Sequence, residues 1–214
     1  MILVGQYDSP FVRRIAVTLH YYRMPFTRDR TSVFSARMAG VNPLVRIPSL
    51  ILDNGETLWD SAAILDYLDE QVAPAAALIP RSGESRRHVL RATALAAGAA
   101  EKAGAVVYER HRHKPECVST DWVNRCLAQL DGALGYLDRT AKAPWFFGDT
   151  ITQADITIGC VVGYLRLRLE EGAPPGRYPV LEELAVRCNE LDEFRSTQPA
   201  PDEVMPAKGS ARRE

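Results

Sequence analysis

Within its first nineteen residues the chain changes period. Ile2-Leu3-Val4 is a short apolar run of strand character, and Val12, Ile15, Ala16 and Leu19 then recur at helical spacing. Ser9-Pro10 therefore stands where a strand turns into a helix. Pro10 suits the first helical turn, where a missing N–H costs nothing, and the Ser9 hydroxyl suits the cap. The unpaired first-turn N–H groups and the positive end of the helix dipole then face any anion beside that hydroxyl. Capping alone accounts for a Ser-Pro before a helix. A second role for Ser9 has to come from residues elsewhere.

Two stretches supply that argument. Ile47-Pro48 lies between the turn Asn42-Pro43-Leu44 and the apolar run Ser49 to Leu52, and a proline at the mouth of a strand keeps the residue before it extended. A cis bond there turns the Ile47 N–H and C=O outward, where a peptide-like ligand can pair as an added strand. Asp60-Ser61 opens another helix and offers a carboxylate and a hydroxyl at its N-terminus, which suits the amine and carboxylate of an amino acid.

The periods predict strands near residues 1–4, 26–30, 49–52 and at Thr57-Leu58, with helices over 11–23 and 60–71 and a short helix within Ser32 to Val41. Strand–helix–strand at the start implies a parallel pair, and Asp53-Asn54-Gly55 signals an antiparallel hairpin, so the expected sheet is mixed and four-stranded. A linker rich in proline and glycine follows, over Ala73 to Glu84. Beyond it helices are predicted over 86–113, 121–139, 152–169 and 180–195. The tail from Ser196, with Pro199, Pro201, Pro206 and Lys208 to Glu214, carries no apolar stripe and reads as frayed or draped on the surface.

A length of 214 residues suffices for one large or two small domains. A net charge of −1 argues against nucleic acid as the main partner, since phosphate binding calls for clustered positive charge. No secretory leader is evident at the start and no run approaches membrane-spanning length, so a cytoplasmic protein with no membrane partner is expected. Cys117, Cys126, Cys160 and Cys188 show neither C-x-x-C nor zinc spacing and read as reduced thiols without a metal. Arg110-His111-Arg112-His113-Lys114 reads as a solvated helix end, and His20 as a ring packed by its edge. Asp155, three residues after Thr152, has capping-box spacing and a folding role.

Ser9-Pro10-Phe11-Val12-Arg13-Arg14, Asn42-Pro43-Leu44-Val45-Arg46-Ile47-Pro48 and the run Leu58 to Leu68 resemble, in that order, the glutathione-binding half of a bacterial glutathione S-transferase of the serine type. Ile151 to Thr157 is similar to the capping box of that family's helical half. The resemblance implies an α/β thioredoxin-like domain over 1–76, a linker over 77–85 and an all-α domain over 86–214. It implies a cytoplasmic, dimeric transferase of detoxification, with glutathione as co-substrate and no metal. Ser9 is then the catalytic hydroxyl and, with Arg46, Ile47, Pro48, Asp60 and Ser61, a glutathione contact. By the same resemblance the electrophile pocket lies between the halves, with Ala99, Ala103, Val107 and Tyr108 as walls.

A thiol with the ordinary cysteine pKa of about 8.5 is only a few per cent thiolate at pH 7. A hydroxyl donating to the thiolate, together with a helix N-terminus, lowers that value by about one to three units. Tyr7 is the competing hydroxyl, because some classes of the family use a tyrosine near the end of the first strand. Two functions stay open: a transferase acting on a small electrophile, or a non-catalytic module of the same fold that binds or regulates.

Overall fold

The computed structural model describes residues 1–204. Four three-residue strands, β1 (Ile2–Val4), β2 (Thr27–Asp29), β3 (Ser49–Ile51) and β4 (Thr57–Trp59), form one sheet in the order β2-β1-β3-β4. Leu3 faces Arg28 across a parallel pair and Leu50 across an antiparallel one, and β3 and β4 close as a hairpin with Leu50 opposite Leu58. The expected mixed sheet is therefore present. Two helices belong to this half: α1 (Pro10–Tyr21), after β1, and α2 (Ser61–Glu70), after β4. The segment before Val41 holds a single 3-10 turn, Ala36–Gly40.

The rest of the described chain is mainly helical: α3 (Gly83–Arg112), α4 (Thr120–Thr140), α5 (Gln153–Arg168), α6 (Pro179–Asn189) and α7 (Asp192–Arg195). One apolar cluster joins Leu3, Val12, Ile15, Leu19, Leu50, Ile64, Leu65 and Leu68 under the sheet, and a second joins α3 to α6. α1 belongs to both: Val12, Ile15, Ala16 and Leu19 pack with the sheet, and Val17 packs with the helical cluster. A helix buried on every side from Val12 to Leu19 sits between two layers. Each such aliphatic side chain stabilises by about 1.5–3 kcal/mol through burial.

One expectation needs correction, and two others gain detail. A single helix over 180–195 is in fact α6 and α7, because Leu191 is extended (φ −77°, ψ 140°). That break turns Phe194 fully inward, where its carbonyl accepts from Arg13 Nη2 at 3.2 Å. The tail is draped rather than frayed through residue 204: Thr197 and Glu203 are buried, and Glu203 accepts from the Tyr7 N–H at 3.3 Å and pairs with Arg28. Pro206 and Lys208 to Glu214 lie outside the described residues. The linker is partly fastened, with Leu78 and Ile79 buried and their N–H groups donating to the Tyr22 hydroxyl (2.6 Å) and Asp69 (3.1 Å).

Other readings agree with the structure. Thr152 and Asp155 form a capping box. His20 meets Phe26 edge-on with ring centroids 5.1 Å apart. All four cysteines are free, with Cys126, Cys160 and Cys188 buried. Burial pushes the Cys160 thiol up to about 11, which leaves it an inert thiol at neutral pH.

Candidate active site

Gly5 lets the chain leave β1 close against α1. Its φ is +140°, and a Cβ there would lie 2.5 Å from Val12 Cγ2, so the approach requires glycine. Four residues later Ser9 is extended (φ −76°, ψ 122°) and caps α1, its Oγ accepting from the Val12 N–H at a long 3.4 Å. Among the described residues the Ser9 hydroxyl proton has no acceptor. Oγ–H is available to donate.

Asn42 shapes the second segment. It is 3% exposed, donates from Nδ2 to the Arg46 carbonyl at 2.9 Å and accepts from the Leu44 N–H at 2.8 Å. This clamp holds Val45 at φ +52°, rare for a β-branched residue, and presents Arg46 outward. Ile47-Pro48 is cis, Pro48 is buried, and neither the N–H nor the C=O of Ile47 has a backbone partner among the described residues. Sequence reasoning took Asn42 only as part of a turn, although an Asn before Pro is a recurrent device for fixing the following loop.

Asp60 is a second non-glycine residue with positive φ (+69°); it is exposed and accepts from the Ala62 N–H at 2.7 Å. Ser61 is 4% exposed, and its Oγ accepts from Arg14 Nη2 at 2.5 Å. Burial lowers the Arg14 guanidinium to about 10, with Asp60 opposing, so it remains charged at neutral pH. Arg14 thus ties the start of α2 to α1.

Ser9, Arg46 and Ile47 line one chamber of about 1050 Å³ between the sheet half and the helices. Its far wall is α3, through Ala100, Gly104, Tyr108 and Arg112, joined by Tyr164 and Arg168 of α5 and by Asp202 to Val204. Tyr108 borders this chamber, but Ala103 and Val107 do not. They are 0% and 3% exposed inside the helical core, as is Ala99 at 1%. The chamber face of α3 is offset from 99/103/107 by one residue, about 100° around the helix axis. Pro48, Asp60 and Ser61 also do not line this chamber.

The charged run at the end of α3 is a solvated helix end, with Arg112, His113 and Lys114 exposed, and its arginines point in two directions. Arg110 pairs outward with Glu171 at 2.7 Å, but Arg112 turns into the chamber, its guanidinium carbon 3.7 Å from the Phe34 ring centroid. Sequence reasoning also missed Asp8 and Arg168, a half-buried ion pair bridging the two halves. Burial pushes the phenols of Tyr108 and Tyr164 up, so both stay protonated donors at neutral pH.

Tyr7 sits differently. It is 6% exposed within the sheet core, its ring lies 3.3 Å from the Arg28 guanidinium carbon, and it borders a separate, smaller cavity. Burial raises its pKa, with Arg28 opposing. Of the two hydroxyls, only Ser9 faces the large chamber.

The sequence matches the family models for the glutathione S-transferase N-terminal domain over residues 8–71 and C-terminal domain over residues 120–184. It is 31% identical to an uncharacterized GST-like protein, YibF, of Escherichia coli (strain K12), over 93% of this chain and 98% of that one. The fold superposes on a glutathione S-transferase from Methylobacillus flagellatus KT, solved with GSH bound, with a TM-score of 0.87 at 30% identity, covering 93% of this chain and 99% of that one. A glutathione transferase family member from Pseudomonas fluorescens Pf-5, solved with bound glutathione, gives 0.83 at 32% identity over 93% and 98%.

Proposed function

The chain belongs to the glutathione S-transferase family, and from that premise we propose that Ser9 activates the glutathione thiol for attack on a small electrophile. The observation that carries this reading is the meeting, in one chamber, of an uncommitted hydroxyl at the head of α1 and the unpaired backbone of Ile47. Ile47 pairs with the cysteinyl backbone of glutathione, Pro48 fixes the turn that presents it, and Arg46 meets a carboxylate. Asp60 and the first N–H groups of α2, beginning at Ser61, hold the γ-glutamyl end. Ser9 donates to the sulfur, and the positive end of the α1 dipole adds to that hydrogen bond.

The thiol proton passes to solvent. The thiolate forms a C–S bond with the electrophilic carbon, and the leaving group departs with the electron pair of the broken bond. Tyr108 borders the space left for the electrophile. A homodimer in the cytoplasm is part of this reading, supported by Leu90, Trp122 and Tyr136 left exposed on α3 and α4; a concentration-independent monomer in sedimentation would remove the dimer.

The test is the pH dependence of conjugation over a panel of electrophiles, with Ser9→Ala beside Tyr7→Phe. Ser9→Ala should lower the neutral-pH rate about ten- to a hundredfold, the worth of a hydrogen bond to a charged group, and move the acidic limb upward. Tyr7→Phe should leave that limb in place. If neither variant moves it, a side-chain hydroxyl does not stabilise the thiolate. Retention on immobilised glutathione without turnover of any electrophile would favour the binding module instead.

A further inference from the structure

We infer that the second substrate carries a carboxylate, and that Arg112 receives it; this rests on the glutathione reading of the same chamber. Among the described residues four guanidinium groups border the space: Arg30, Arg46, Arg112 and Arg168. Two are matched by acids of the chain. Arg168 pairs with Asp8, and Arg30 meets Asp202 at 2.6 Å and Glu203 at 3.6 Å. Among the described residues Arg46 and Arg112 have no carboxylate within ion-pair distance. Arg46 precedes the Ile47 backbone that pairs with glutathione, so it serves that ligand. Among the described residues Arg112 is left without a carboxylate partner.

Arg112 is also held for such a task. Its guanidinium lies over Phe34, and Phe34 in turn meets Tyr108 edge-on with centroids 6.2 Å apart. A guanidinium stacked by its face keeps its in-plane N–H donors free, the geometry that grips a carboxylate through two parallel bonds. A role limited to the helix dipole does not require this, since Arg110, two residues earlier, turns outward to Glu171. Phe34, Tyr108 and the unsubstituted Gly104 supply an apolar and aromatic surface beside that cation. The acceptor that fits is a planar or unsaturated organic acid with its electrophilic carbon distant from its carboxylate.

The test uses two product-like ligands of nearly equal shape, S-(4-carboxybenzyl)glutathione and S-(4-carbamoylbenzyl)glutathione, titrated calorimetrically against glutathione itself. The carboxylate ligand should bind about two- to fivefold more tightly at low salt, the ratio shrinking as ionic strength rises. Arg112→Gln should bring the ratio to near one, and Arg112→Lys should restore only part of it. A wild-type ratio near one, with glutathione bound normally, overturns the proposal and leaves the glutathione reading standing. A ratio that survives Arg112→Gln overturns the assignment to Arg112. Failure of glutathione itself to bind sinks both together.

Discussion

Replacing Asp155 by alanine should destabilise the fold by about 2–4 kcal/mol, more than the loss of a simple cap. The side chain is fully buried. One oxygen accepts from the Phe146 N–H at 2.6 Å, and the other from the Thr152 N–H and hydroxyl, each at 2.8 Å. Losing the cap accounts for about 1 kcal/mol. Stranding the buried Phe146 N–H adds about 1–3 kcal/mol, because that donor has no water to turn to. For a chain of this length the sum corresponds to a melting temperature lower by roughly 4–16 °C. Asp155→Asn keeps one acceptor oxygen and should fall between. Urea denaturation gives the loss, and calorimetry with glutathione on the folded fraction should give wild-type affinity, since Asp155 does not border the chamber. Weakened glutathione binding with unchanged melting would refute a purely architectural role.

Ser61→Ala removes the acceptor of a buried guanidinium whose Nε and Nη1 already lack partners, so urea titration should show a loss of about 1–3 kcal/mol. Gly163→Ala would bring a Cβ within 2.8 Å of Arg13 Nη1; because Arg13 is only 5% exposed it has little room to yield, and a melting scan should register about 1–3 kcal/mol of destabilisation. Hydrogen bonds from Tyr178 and Arg177 hold the Asp131 carboxyl below its unfolded value of 3.8. Its contribution is therefore complete above that pH and lost as pH falls through the folded pKa; melting against pH should show a shallower acid decline in Asp131→Asn than in wild type.

The sheet half was readable because its signals are local. Ser9-Pro10 marks a helix start and Asp53-Asn54-Gly55 a hairpin through their own backbone preferences. The wall of the chamber was not, and α3 explains why. Ala99, Ala100, Ala103 and Gly104 are so alike in size and polarity that no period distinguishes the core face from the chamber face. The choice is made by what packs against the helix. Arg112 was hidden in a run of like residues, where composition says only that a helix end is charged, and its direction depends on Phe34, far away in the chain. The tail failed for a related reason: Asp202 and Glu203 look like solvated acids until Arg28 and Arg30 are placed beside them.

That last contact governs when the protein becomes complete during synthesis. Glu203 reaches the backbone of Tyr7 across 196 positions of chain, and Asp202 to Val204 finish the chamber rim. As the polypeptide leaves the ribosome, β1 and α1 emerge early, yet the side of the chamber nearest Arg30 stays open until almost the whole described chain has been made. Any nascent intermediate thus exposes the anion-attracting head of α1 before its acidic closure arrives. A fusion joined at residue 204 adjoins the chamber rim, whereas one joined before Met1 adjoins the β3–β4 turn at Asp53, whose carboxylate meets the terminal amine at 2.5 Å.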